Sequence, residues 1–301
     1  MAIGTIRRIP LPDAALDAGR KAFRTYGAST SALRPPPDFL IIGTKRGGTT
    51  SAYFHLLEHP QMLPLFPTAR YVPKRRDGKG PHYFDTNYQR GDRWYLGHFP
   101  SRLTRRRAER RVGGPVVVGE ASPYYLYHPL AAERAAALLP DIKIFLFLRD
   151  PVWRTYSMWK EQVRNGVEKL DFPAALAAEP KRTAGEEARI VADPTYHSFG
   201  HEFQSYRAQS EYARPLERWF TYFGRDQFKI FTTEEYSANA GEVCNEAYRF
   251  LGLPERPQPA APVLNSATAP PMPEDLHAEL VAHFAPHNAA LEELIGRRLA
   301  W

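Results

Sequence analysis

The apolar residues of this chain fall into short continuous runs separated by longer amphipathic stretches. Runs of this kind form strands that are buried on both faces of a sheet, and they cover residues 39–42, 116–118, 142–148 and 228–232. Helical spacing of apolar positions predicts helices over 51–59, 131–139, 152–164, 211–223, 241–251 and 274–295, the last interrupted near Pro286. Strands that alternate with helices predict an α/β fold, with a parallel β-sheet core covered by helices on both faces.

The domain boundaries follow from where this alternation begins and where it is interrupted. Residues 1–37 mix short apolar pieces with arginine and end in three prolines, which predicts an irregular N-terminal extension closed by a stiff linker. Residues 38–301 suit a single domain. Residues 64–80 are proline-rich and basic and predict a long binding loop, and residues 166–208 form a second insertion.

Composition says more about the cellular compartment of the protein than about its function. The chain of 301 residues carries a net charge of +7, which favours an anionic ligand or simply a basic surface. Its single cysteine, Cys244, allows no internal disulfide, and no segment resembles a transmembrane span or a signal peptide. We therefore expect a cytoplasmic protein, with peripheral membrane contact left open. The arginine-rich stretch 102–111 is expected to be a solvated helix face rather than a binding patch.

The strongest local motif follows the first predicted strand. Gly43 and Gly48 have the spacing of a phosphate-binding loop, and strand, loop and helix come in the required order. Glycines let the backbone curl so that successive N–H groups face an anion, and the next helix adds its positive end. The predicted phosphate-binding residues are Lys45, Arg46, Gly47, Gly48, Thr49 and Thr50. The sheet is thus predicted to be of the P-loop type.

The same loop departs from a nucleoside-triphosphate site. Position 49 is threonine, where such a site has the lysine that contacts the phosphates. The basic side chains, Lys45 and Arg46, lie inside the loop instead. A loop that holds one 5′-phosphate next to a transferable group fits these residues better.

A second motif follows the strand predicted at 142–148. Arg149 stands at the carboxyl end of this strand, where open α/β sheets bind ligands. Ser157 lies eight residues later on a helix that Pro151 is suited to begin. An arginine and a hydroxyl in this arrangement can hold a second phosphate through charge-assisted hydrogen bonds.

Taken together, the ordered motifs resemble the sulfotransferases that use 3′-phosphoadenosine 5′-phosphosulfate (PAPS), in particular bacterial and carbohydrate-type members. The resemblance covers residues 38–301 and is carried by GTKRGGTTS, HYFD, RGDRWYLGHFP, GEASPYYLYHP, FLFLRDPVWRTYS, EYARPLERWFTYF, FLGLP and FAPHNAALEELIGR. It implies a transferase that moves a sulfuryl group from PAPS to an acceptor hydroxyl and releases PAP, the 3′,5′-bisphosphate. The acceptor is left open between a carbohydrate, a glycolipid and a small-molecule natural product. Oligomeric state is also left open, and no nucleic-acid partner is expected.

The resemblance also assigns roles within the cofactor site. The glycine loop would hold the 5′-phosphosulfate, Arg149 and Ser157 the 3′-phosphate, and residues 265–268 would close over the cofactor. Arg46 stands where relatives often carry lysine, Gly80 where they often carry glutamate, and Ala121 where they often carry lysine. The cofactor half of the site therefore matches the family better than the acceptor half.

The transfer chemistry defines four candidate catalytic residues. By analogy with phosphoryl transfer, Arg46 and Lys45 would stabilise the charge that develops on the leaving phosphate. His82 is the favoured general base because its ordinary pKa is near neutral, with Glu120 second and Asp85 third. This scheme requires no metal.

Other functions remain as alternatives. His197 and His201 have helical i, i+4 spacing, but the pattern around them does not favour a metal site. The rival functions are a P-loop kinase, a polyanion-binding protein, and a degenerate relative that binds PAP without turnover.

Overall fold

The core is a parallel sheet, seen in a computed structural model that describes residues 13–68, 78–257 and 272–301. Across these ranges the strands lie in the order β2-β3-β1-β4-β5, and every neighbouring pair is parallel. The strands are β1 Phe39–Gly43, β2 Met62–Leu63, β3 Val117–Ala121, β4 Lys143–Leu148 and β5 Phe228–Thr232. The four predicted strands are confirmed. The two-residue β2 was not predicted because so short a segment has no readable pattern.

Helices fill most of the remaining described chain. They are α1 Asp13–Ser29, α2 Thr49–Leu56, α3 Asp92–Leu96, α4 Arg102–Val112, α5 Ala131–Leu138, α6 Pro151–Arg164, α7 Phe172–Thr183, α8 Glu186–Ala192, α9 Phe199–Phe203, α10 Ala213–Tyr222, α11 Thr233–Ala238, α12 Ala240–Leu251 and α13 Glu274–Ile295. None of the helices in the described ranges is long and apolar enough to cross a bilayer.

The two faces of the sheet are covered by different helices, as the predicted fold class requires. Alternate residues of each strand point to opposite faces. On one face, Leu40 and Leu146 pack with Leu216 and Trp219 of α10. On the other face, the apolar side chains of the strands pack against α2 and α12. A third apolar cluster joins α6, α7 and α13. The α/β architecture with helices on both faces is therefore confirmed.

The strand order determines where a ligand can bind. After β1, the chain builds β2 and β3 on one side of it and then crosses to build β4 and β5 on the other. This reversal opens a crevice beyond the carboxyl ends of β1 and β4, the usual ligand position in open α/β sheets. The loop after β1 and Arg149 after β4 both lie at this edge.

The prediction of irregular structure in the N-terminal extension is wrong over Asp13–Ser29, which forms α1. Its aromatic residues have partners in the domain: the ring of Phe23 packs edge-on against Phe66 at 5.7 Å. The helix was not predicted because only three of its 17 residues, Leu16, Phe23 and Tyr26, have large apolar side chains. Tertiary contacts supply much of a helix's stability, and they are invisible in a local pattern.

The predicted interruption of the last helix is also wrong. Pro286 lies inside α13, which continues from Glu274 to Ile295. A proline removes one backbone hydrogen bond, but Leu280 and Phe284 before it and Leu291 after it are all buried. Burial on both sides of the proline holds the helix together.

Candidate active site

The loop between β1 and α2 turns tightly at two glycines. Gly48 adopts a left-handed backbone with φ of 79° at the start of α2, a conformation that glycine adopts without strain. A Cβ atom on Gly47 would lie 2.4 Å from the carbonyl oxygen of Phe147. Gly47 is therefore needed for the loop to lie against β4, and Gly48 for the left-handed turn into α2.

Three predicted cofactor residues meet beside this loop. Arg46 donates from Nε to Ser157 Oγ at 3.0 Å and from Nη1 to Glu161 Oε1 at 2.6 Å. Arg149 donates to the backbone oxygen of Arg46 at 3.2 Å. Burial, together with the nearby charges of Arg149 and Arg46, lowers the pKa of Lys160. Arg46 thus bridges the loop and the Arg149–Ser157 pair, which the sequence had assigned to separate phosphates.

Lys45 points away from this group toward the 166–208 insertion. Its Nζ lies 2.7 Å from Glu202 Oε1 and 4.6 Å from the ring centres of both Tyr124 and Phe203. Burial raises the pKa of Glu202. The hydrogen bond from His197 and the charge of Lys45 outweigh burial, and the pKa falls to about 2. Glu202 is therefore ionised and holds Lys45 against the insertion.

Sequence reasoning missed two side chains that contact the loop. Lys79 donates from Nζ to Thr49 Oγ1 at 2.9 Å, so a second lysine reaches the loop from the segment before His82. Glu202 pairs with Lys45 although 157 residues separate them. Lys79 was read only as part of a basic loop, and nothing local distinguishes Glu202. Residues 69–77 of that loop and the predicted closing segment 265–268 lie outside the described residues.

His82 forms a dyad with Asp85. Its Nδ1 lies 2.8 Å from Asp85 Oδ2, which fixes the tautomer so that Nε2 is the proton acceptor in the neutral ring. Burial disfavours the charged imidazolium, but the charge and hydrogen bond of Asp85 outweigh it and raise the pKa of His82. Asp85, the third candidate base, thereby acts on His82.

Glu120 is placed differently from the sequence expectation. It lies on β3 with 0% exposure, and it accepts a hydrogen bond from Ser122 Oγ at 2.7 Å. Burial raises its pKa to about 7. Ser122 Oγ also accepts from the backbone N–H of His82 at 3.0 Å. Because an acceptor cannot reach a carboxylate without exposed surface, Glu120 fits a role in positioning His82 better than a role as base.

The unusual glycine at position 80 has a steric cause. A Cβ atom there would lie 2.4 Å from both the carbonyl oxygen of Ala121 and the hydroxyl of Ser122. The segment 78–82 runs this close because Ala121 N–H donates to the backbone oxygen of Lys79 at 2.8 Å. This backbone leaves no room for a glutamate at position 80.

Gly80→Ala is accordingly expected to destabilise the protein by about 1–3 kcal/mol, because backbone must move to admit the methyl group. The measurement is the urea midpoint of unfolding. Gly19→Ala is the matched control: it lies in α1 with nothing within 4 Å of its Cβ position, and alanine is the better helix former. Equal midpoints for Gly80→Ala and the unchanged protein would contradict the close approach.

His197 and His201 take separate partners. His197 Nε2 lies 2.7 Å from Glu202 Oε2, and His201 Nδ1 lies 2.6 Å from the Tyr124 hydroxyl. Burial lowers the pKa of His201 to about 3. These contacts connect the insertion to Lys45 and to the segment after β3.

The fold and the site first define a class: an α/β protein with a glycine loop and several cationic side chains at the carboxyl edge of its sheet. The family follows from comparison with known proteins. The chain belongs to the sulfotransferase domain family, whose family model matches residues 36–274.

Relatives and solved structures agree with this membership. A sulfotransferase from Alicyclobacillus acidocaldarius is 31% identical with a TM-score of 0.63, covering 88% of this chain and 98% of that one. The membrane-associated sulfotransferase kil1 of Dictyostelium discoideum is 23% identical over 88% of this chain. The human bifunctional heparan sulfate N-deacetylase/N-sulfotransferase 3 is 27% identical over 86% of this chain. This chain spans 66% of the length of kil1 and 30% of that of the human protein.

Proposed function

We propose that this protein is a PAPS-dependent sulfotransferase that transfers a sulfuryl group to an acceptor hydroxyl and releases PAP. The observation that carries the proposal is the contact of Arg46 with Ser157 and of Arg149 with the Arg46 backbone, beside the glycine loop. Cations and donors converge there on one crevice. PAPS carries a 5′-phosphosulfate and a 3′-phosphate, so it presents two anionic groups to such a site.

The donor set fits this ligand better than a magnesium triphosphate. Thr49 stands in place of the phosphate-binding lysine and holds Lys79 through its hydroxyl. In the proposed complex, the glycine loop and Thr50 hold the 5′-phosphate, while Arg149 and Ser157 hold the 3′-phosphate. Arg46, which contacts Ser157, releases Glu161 to face the ligand.

In the transfer step, PAPS supplies the sulfuryl group and the protein supplies charge and position. Arg46 stabilises the negative charge that develops on the leaving phosphate, and Lys45 joins it once its ammonium group turns from Glu202 toward the ligand. His82 Nε2 accepts the proton of the acceptor hydroxyl, and Asp85 holds the ring in the required tautomer. The scheme requires no metal.

The acceptor is proposed to lie between His82 and the 166–208 insertion. Tyr124 and Phe203 flank Lys45, and Glu202 joins Lys45 to His197. Aromatic faces beside paired polar groups suit a carbohydrate, a glycolipid or a small natural product with a hydroxyl. The carbohydrate class has further support in the human relative, which is a bifunctional heparan sulfate N-deacetylase/N-sulfotransferase.

Membership of the sulfotransferase domain family disfavours the P-loop kinase and the polyanion-binding protein. The degenerate PAP-binding relative is the rival that an experiment must exclude. The predicted cytoplasmic placement stays a prediction.

The test is turnover of PAPS against a panel of sugar, glycolipid and phenolic acceptors, read as PAP release and as acceptor mass. PAP release that depends on one acceptor, with that acceptor gaining one sulfuryl group, supports the proposal. Tight PAP binding with no acceptor-dependent release from a broad panel supports the degenerate relative instead.

A further inference from the structure

A second constellation of polar side chains lies on elements that carry none of the proposed transfer residues. Glu211 precedes α10, and His283 and His287 lie on α13. One ligand atom from each residue lies within 4.8 Å of the other two, and this is the one such group of three among the described residues. All three side chains are about one-third exposed.

The spacing of the two histidines suits chelation by a helix. Residues four apart lie on the same helix face, and the rings of His283 and His287 have centroids 5.2 Å apart and planes inclined by 36°. Glu211 reaches this face from a different element. Two imidazoles and one carboxylate form a ligand set that binds zinc and leaves its fourth position for water.

Two of the three donor separations lie near those of such a site. Glu211 Oε1 lies 3.0 Å from His283 Nε2 and 3.8 Å from His287 Nε2. In a tetrahedral zinc site with bonds near 2.1 Å, ligand atoms stand about 3.4 Å apart. The two separations from Glu211 fall on either side of this value, and the two histidine donors lie within 4.8 Å of each other, so side-chain rotations can bring the three donors onto one ion.

We propose that Glu211, His283 and His287 bind a divalent transition-metal cation, Zn²⁺ foremost. The ion would join α13 to the chain preceding α10 and so stabilise the packing of the C-terminal helix. The proposal is independent of the sulfotransferase assignment, because the ion takes no part in the transfer. The competing explanation is that the three side chains form only a hydrogen-bonded cluster.

Calorimetric titration with ZnCl₂ tests the proposal, using the full chain freed of any affinity tag and stripped of metal. The variants are His283→Ala, His287→Ala and Glu211→Gln, and His277→Ala is the matched control. His277 lies on the same helix but outside the cluster, with its ring against Trp153. Alanine favours helix, so the histidine variants should fold, and Glu211→Gln provides a variant of unchanged size.

The expected result is one Zn²⁺ bound by the unchanged protein and by His277→Ala. Each cluster variant should bind it at least about tenfold more weakly, since even outer partners of metal ligands cost this much when removed. Zn²⁺ should also raise the thermal midpoint of the unchanged protein and not those of the cluster variants. Failure of the unchanged protein to bind Zn²⁺, or equal affinity in all variants, would overturn the proposal.

Discussion

Arg46→Ala is expected to lower kcat for sulfuryl transfer by about 10²–10³-fold, the usual cost of removing one preorganised group that stabilises transition-state charge. Arg46 already contacts Ser157 and Glu161, so its guanidinium is held at the crevice before the ligand arrives. Its φ of 71° is as unusual for alanine as for arginine, so the substitution adds no backbone strain. Steady-state kinetics with an acceptor from the panel measure the effect.

The matched control is Arg164→Ala. Arg164 lies on the same helix as Glu161 and pairs with it at 3.6 Å, but its side chain is 62% exposed. It should therefore retain nearly full activity. Arg46→Lys should lie between the two, because lysine keeps the charge but not the planar fork of donors. A kcat for Arg46→Ala close to that of Arg164→Ala would remove Arg46 from the transfer step.

His82→Asn is expected to lower kcat by about 10²–10⁴-fold, the contribution of a positioned general base. Asparagine tolerates the positive φ of 50° at this position, and its amide can still face Asp85, but it accepts no proton near neutral pH. PAP affinity should change little, because His82 is proposed to act on the acceptor. Unchanged kcat would move the base role to another side chain.

The pH profile separates a base from a merely structural histidine. The neutral ring is the active form, so kcat falls as pH drops through the raised pKa of His82. Asp85→Asn removes the charge that raises this pKa, and the acidic limb of the profile should move to lower pH. If the acidic limb lies at the same pH in both proteins, that limb does not report the protonation of His82.

Local pattern was enough to predict four of the five described strands and to select the residues proposed for the cofactor site. Buried parallel strands are continuous apolar runs, and Gly48 is required by its own left-handed backbone. Arg149 and Ser157 followed from position alone, since the carboxyl ends of neighbouring parallel strands meet at one edge. These features depend on residues close together in sequence.

The remaining features depend on contacts between distant segments. Glu202 meets Lys45 and Lys79 meets Thr49 only after folding, and neither Glu202 nor Lys79 lies in a recognisable motif. The absence of a side chain at Gly80 is explained by the backbone of β3, not by its own neighbours. Helix α1 was missed for the same reason, because its aromatic partners lie in the domain.

The measurement that tests the central claim most directly is calorimetric titration with PAP and, separately, with ATP and magnesium. We predict that PAP binds far more tightly than ATP, and that Arg149→Ala weakens PAP binding about 10–100-fold, the cost of losing a charged hydrogen-bonding partner. The PAPS assignment would be contradicted if the unchanged protein and Arg149→Ala both bound ATP and neither bound PAP.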